Sequence, residues 1–106
     1  MTAKELIYNE SQIADRLRDL DGWSYGGGVI TRVYKTKGFP MTLMLVNAIG
    51  YLAESADHHP DMLVKWGSVA VSLSTHSAGG ITDKDFALAR GIQALVLQAD
   101  PAMSEY

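Results

Sequence analysis

The chain contains no cysteine. That excludes disulfides, thiolate nucleophiles and cysteine-based zinc sites, and leaves the redox compartment open. It has no excess of basic charge either: nine Lys and Arg stand against twelve Asp and Glu, a formal net charge of -3. The basic face of a dedicated nucleic-acid binder is therefore missing. It also lacks a long hydrophobic run. The most apolar stretch, Met41 to Ala56, is interrupted by Asn47 and Glu54 and is too short to span a bilayer comfortably. The opening Met1-Thr2-Ala3-Lys4-Glu5 has neither the basic region nor the apolar core of a signal peptide, so a cytoplasmic protein without membrane or nucleic-acid partners is expected. Histidine is scarce, with three in the chain. No internal repeat or linker interrupts the sequence.

What is present fits one globular domain over residues 1–106, with 47% apolar and 20% charged residues, ordinary values for a folded protein. Asn9 with Gln12 three residues on forms a capping-box pattern. Ile13, Leu17 and Leu20 follow at helical spacing, and Gly22 is expected to end this first helix. Trp23-Ser24-Tyr25 and Val29 to Lys35 flank Gly26-Gly27-Gly28 and read as an antiparallel hairpin. In the second strand Val29, Thr31, Val33 and Lys35 share one side, and Ile30, Arg32 and Tyr34 the other. Phe39-Pro40 opens a longer helix. Phe39, Leu43, Val46, Ala53 and Ala56 form its apolar stripe, widened by Met44, Leu45, Ala48, Ile49 and Leu52. A helix apolar most of the way round is buried on two sides, which in so small a domain points to a subunit interface, with a wide core face as the alternative. Leu63 to Trp66 and Val69 to Thr75, joined by Gly67-Ser68, read as a second strand pair. Thr82 opens the last helix, and Ala99-Asp100-Pro101 stops it. The fold class that follows is α+β: one four-stranded antiparallel sheet, three helices packed on one face, in the order α-β-β-α-β-β-α.

The chemistry concentrates between the second helix and the last. His58 and His59 precede Pro60, and His76 follows the fourth strand, so all three histidines fall within nineteen residues. Imidazole titrates nearest neutrality. Asp57, Asp61, Asp83 and Asp85 are close in sequence. Three readings are open. A metal site is one, although adjacent histidines diverge and no i, i+4 pair exists. Acid–base catalysis is the second, with imidazoles on different sides of a small substrate and a carboxylate to fix a tautomer. The third is that the histidines are hydrogen-bonded structural residues. Asp85 stands three residues after Thr82, a capping pattern, and can cap the helix, serve the site, or both. Glu54, one helical turn before His58, can orient that ring or lie in solvent. Trp66, Lys65 and Arg32 read as strand surface or core.

Glu54-x-x-x-His58-His59-Pro60, then Leu73-Ser74-Thr75-His76, then Gly80-Ile81-Thr82-x-x-Asp85 together resemble the pterin-4a-carbinolamine dehydratases over about residues 5–98. The resemblance implies dehydration of 4a-hydroxytetrahydropterin to the quinonoid dihydropterin, which recycles the pterin cofactor of aromatic amino-acid hydroxylases. It implies a hydro-lyase that uses no metal or organic cofactor. It places His58, His59, His76 and Asp85 in the catalytic site, with Pro60, Thr75, Ser77 and Ala78 alongside the histidines against the pterin, and Glu54 in support. It implies a homo-oligomer, a dimer or a homotetramer built as a dimer of dimers. Met62 stands where many members have an aromatic residue, and Trp66-Gly67 where many have Tyr-Asn. A non-catalytic relative that serves as a protein-binding or assembly factor is the alternative that the family also holds.

Overall fold

A computed structural model describes residues 6–99 of the chain. The elements are α1 (Glu10–Leu17), β1 (Ser24–Gly26), β2 (Val29–Lys35), α2 (Phe39–Ala56), β3 (Asp61–Lys65), β4 (Ser68–Leu73) and α3 (Asp83–Ala99). The expected order of helices and strands is the observed one. The first residues of the lead-in and the stop at Asp100-Pro101 lie outside the described residues. None of the described helices is long and apolar enough to cross a membrane.

The sheet is antiparallel throughout, in the order β1-β2-β4-β3. Pleating sends alternate residues to opposite faces. Register places Ile30 opposite Leu73, Arg32 opposite Val71 and Tyr34 opposite Val69, and all six are buried beneath the helices. On the open face Val33 pairs with Ala70, and Ala70 with Leu63. The β1–β2 hairpin turns on Gly27 and Gly28, whose φ values are 60° and 81°. Two consecutive positive φ values match the right-handed twist of the strands, and glycine adopts them without steric cost.

The helices supply the rest of the core through Ile13, Ile49, Ala53, Phe86, Ala89, Ile92 and Val96. The capping box of α1 is complete: Gln12 N–H donates to Asn9 Oδ1 and Asn9 N–H to Gln12 Oε1, each at 2.9 Å. The helix stops at Leu17, and turns rather than helix carry the chain to Gly22. In α2 the buried stripe is Thr42, Leu45, Ile49 and Ala53, not the expected one beginning with Phe39 and Leu43, which are both exposed. Thr42 tolerates burial because its hydroxyl lies within hydrogen-bond distance of two carbonyls, Gly38 O at 3.0 Å and Trp66 O at 2.9 Å, and its one proton is satisfied by either. The opposite side of α2 leaves Leu43, Met44 and Tyr51 exposed.

Residues ahead of α1 strap across the loop that leads into α3. Tyr8 N–H donates to Ile81 O at 2.9 Å, and the Tyr8 hydroxyl donates to the Asp83 carboxylate. That bond holds the phenol above its ordinary range. A Cβ at Gly80 would lie 2.7 Å from Ile7 Cγ2, so the strap seats against bare backbone.

Tyr34 is fully buried under the guanidinium of Arg32, 4.6 Å from its ring centre. Its hydroxyl has no hydrogen-bond partner among the described residues, and burial pushes the phenol above its usual range. Tyr34→Phe should therefore be neutral or stabilising by up to about 1 kcal/mol at pH 7. A raised tyrosine favours the native state while protonated, so its contribution holds below about pH 10 and is lost as pH rises further. Urea denaturation of both proteins at pH 7 and in the alkaline range checks both parts. The variant should lose less stability on the alkaline side.

Candidate functional site

Two chain reversals bring the histidines together. The first ends α2, where Asp57 adopts a left-handed φ of 50°, a conformation that Asp tolerates better than most residues. The turn returns His58 N–H to the Ala53 carbonyl at 3.1 Å and sends the chain through His59 and Pro60 into β3. The second follows β4. Thr75 bridges to Gly80, its N–H 2.9 Å from the Gly80 carbonyl, and the Ala78 and Gly79 amides return to Thr75 O. His76 and Ser77 ride on this tight turn. β4 ends at Leu73, two residues before the expected Thr75, because the turn replaces the ladder there.

Between the reversals lies a cavity of about 250 Å³ lined by Asp57, His58, His59, Ser74, Thr75, His76, Ser77 and Lys84. All three histidines are thus brought to one cavity. Pro60 and Ala78 do not line it, although each adjoins a residue that does. Asp85 stands behind it. Ser74 and Lys84 are walls that sequence reasoning did not single out as site residues; Asp57 was noted there among the carboxylates close in sequence to the histidines. The signal for Lys84 was its place beside Asp85 at the start of the last helix.

Asp85 is fully buried and accepts three hydrogen bonds. Oδ1 meets His58 Nε2 at 2.6 Å, while Oδ2 accepts from Thr75 Oγ1 at 2.8 Å and from Thr82 N–H at 2.9 Å. A buried carboxylate is tolerable only when so paired. The Asp85 carboxylate accepts from the backbone of the residue before α3, as capping requires, and it also grips an imidazole. The His58 side chain is 11% exposed and held, whereas the His59 side chain is 56% exposed.

Glu54 does not orient His58. Its Oε1 lies 2.8 Å from His59 Nε2 instead. The helix has ended by residue 57, so the i, i+4 spacing no longer applies, and the left-handed turn swings His59 toward Glu54. Both partners are exposed, and such a pair contributes no more than about 1 kcal/mol. Glu54→Gln should leave stability within about 0.5 kcal/mol of wild type in urea denaturation. Among the described residues no three His, Asp or Glu side chains converge as metal ligands.

A family model described as "Pterin 4 alpha carbinolamine dehydratase" matches residues 7–95. A relative from Roseiflexus castenholzii, provisionally named a pterin-4-alpha-carbinolamine dehydratase, is 42% identical over 85% of this chain and 97% of its own. One of the same name from Nocardia farcinica is 43% identical over 84% of this chain and 94% of its own. The crystal structure of a transcriptional coactivator/pterin dehydratase from Brucella melitensis superposes with a TM-score of 0.79 at 35% identity, covering 84% of this chain and 97% of the other. A pterin dehydratase-like protein identified as a RuBisCO assembly factor in the alpha-carboxysome shares the fold, with a TM-score of 0.60 at 18% identity over 70% of this chain and 88% of the other. With a family match across most of its length and relatives this similar, the chain belongs to the pterin 4 alpha carbinolamine dehydratase family.

Proposed function

We propose that the protein is a hydro-lyase that dehydrates 4a-hydroxytetrahydropterin to the quinonoid dihydropterin, a cytoplasmic step that returns the pterin cofactor of aromatic amino-acid hydroxylases to use. The observation that carries this reading is one cavity walled by three imidazoles, one of them held by a buried carboxylate. The reaction breaks the C4a–O bond, delivers a proton to the departing oxygen, removes the proton from N5 and forms the C4a=N5 double bond. Imidazoles, which can both donate and accept a proton, serve both transfers.

With its Nε2 proton directed at Asp85, neutral His58 keeps Nδ1 as its basic nitrogen. His58 and His76 are assigned as the acid–base pair. His76, exposed on a tight turn, exchanges protons readily with water. His59, tethered to exposed Glu54, chiefly binds. Asp85 is a positioning residue: it fixes the ring and the tautomer of His58.

The test is the dehydration rate of enzymatically generated 4a-hydroxytetrahydropterin. Clear acceleration over the spontaneous reaction is expected. None would favour the second reading, a dehydratase-like scaffold that binds or assembles other proteins, and pull-down for a protein partner would follow.

The same reading makes the protein a homo-oligomer. The exposed side of α2, with Leu43, Met44 and Tyr51, and the outer edge of β3, beside Leu63 and Trp66, are the surfaces for a dimer or a dimer of dimers. Unpaired strand edges and exposed apolar patches are surfaces that proteins usually cover. Sedimentation velocity at micromolar concentration should give a mass of at least two chains.

A further inference from the structure

Among the described residues β3 leaves one edge of the sheet unpaired, because the strand order is β1-β2-β4-β3. Lys65 and Ser68 are partners on either side of the two-residue turn Trp66-Gly67. A pair beside such a turn exchanges both of its backbone hydrogen bonds, and the pattern alternates along the ladder. Asp61, Leu63 and Lys65 therefore direct their N–H and C=O groups toward β4. Met62 and Val64 direct theirs outward, to the open edge.

A second copy of the same strand fits this edge. Antiparallel pairing of β3 with itself must set outward groups against outward groups, so the two-fold axis passes through Met62, Leu63 or Val64. Centred on Met62, Asp61 faces the partner's Leu63, and Pro60, which has no N–H, faces the partner's Val64. Centred on Val64, Lys65 faces the partner's Leu63. Centred on Leu63, Asp61 faces the partner's Lys65, and Met62 exchanges hydrogen bonds with the partner's Val64. The leucines then face each other across the axis. Opposite charges directly across two strands are favourable, and only this register supplies them. Asp61, Leu63 and Lys65 are all exposed, Leu63 by 59%.

Extended by one residue, the same register sets the partner's Trp66 opposite Pro60. Trp66 is 70% exposed. Its ring passes over Gly38, where a Cβ would stand 3.7 Å from Trp66 Cζ2. Pro60 follows His59, a wall of the histidine cavity. Residues directly opposite lie about 5 Å apart, and aromatic side chains reach the diagonal neighbour as well. The indole therefore reaches past Pro60 to the His59 side of the cavity.

We propose that β3 pairs with β3 of a second copy in the register centred on Leu63, and that the partner's Trp66 completes the histidine cavity from across the two-fold axis. Each site then holds its own histidines and the other protomer's indole. The proposal rests on the homo-oligomer reading above and adds which positions meet and what the partner supplies to the site.

The chain has no cysteine, so single substitutions in the full chain report the register directly. Paired positions lie about 4.5–5.5 Å apart between Cα atoms, within disulfide range. Under mild oxidation Leu63→Cys should form a covalent dimer, while Met62→Cys and Val64→Cys should not. Tagged Pro60→Cys co-expressed with untagged Trp66→Cys should cross-link as the mixed dimer only. A covalent dimer through Met62→Cys or Val64→Cys instead, or none through any position, would overturn the register. Absence of the mixed dimer would remove the indole from the site. Trp66→Ala should weaken binding of 6-methyl-7,8-dihydropterin about threefold to tenfold in titration calorimetry. Unchanged affinity beside intact cross-links would overturn the role of the indole and keep the register. If the wild type binds no pterin, the dehydratase reading falls, and the mixed cross-link alone decides where the indole lies.

Discussion

Asp85→Asn should lower the dehydration rate about 10²- to 10⁴-fold, the range of a general acid–base contribution, while pterin binding changes far less. The carboxylate accepts from three groups at once. An amide retains one accepting oxygen and sets an N–H₂ against either His58 or the pair formed by Thr75 and Thr82. If it faces His58, the imidazole must accept at Nε2, the tautomer flips, and the basic nitrogen turns from the substrate. If it faces Thr82, a buried amide of the cap loses its acceptor, at a cost of about 1–3 kcal/mol. A stability loss alone would not separate a positioning role from a structural one. Rate measurements on the double variant do. If Asp85 acts through His58, then His58→Ala with Asp85→Asn should be no slower than His58→Ala alone. Losses that multiply would show that Asp85 serves the reaction by another route.

His76→Ala should be the cleanest functional lesion in the chain. The side chain is exposed and among the described residues makes no hydrogen bond comparable with that of His58, so stability should stay within about 0.5 kcal/mol of wild type. Turnover should nonetheless fall at least about 10²-fold. His59→Ala should instead raise KM with a smaller effect on kcat, as expected when binding is lost equally from ground and transition states. Stopped-flow dehydration assays of the three histidine variants, each with a urea midpoint, separate these outcomes. Equal turnover in all three would remove the division of labour assigned above.

Much of this was legible in the sequence where local rules govern. Strand alternation placed Ile30, Arg32 and Tyr34 on one side, and the structure buries all three. The box of Asn9 and Gln12 was readable because capping is satisfied within four residues. The rules failed where a tertiary partner decides. Thr42 lay outside the apolar stripe read from Phe39 and Leu43, yet its hydroxyl finds two carbonyls, one of them on Trp66 across the fold. Glu54 looked like a partner of His58 because helical spacing was carried one residue past the left-handed Asp57. Of the candidate site, the histidines and Asp85 were visible as a motif. Lys84 was not, because a lysine in the first turn of a helix looks like any solvated charge until the fold turns it to a cavity.

The strap formed by Ile7 and Tyr8 has one more consequence. It touches Gly80, Ile81 and Asp83, the far side of the loop that presents His76. Release of the strap would leave that loop without these contacts. If only the docked state presents His76 correctly, the observed affinity for pterin is the intrinsic affinity scaled by the docked fraction. By the same linkage a bound pterin holds the strap down. Ile7 and Tyr8, ahead of the first helix, would then set the fraction of molecules ready to bind.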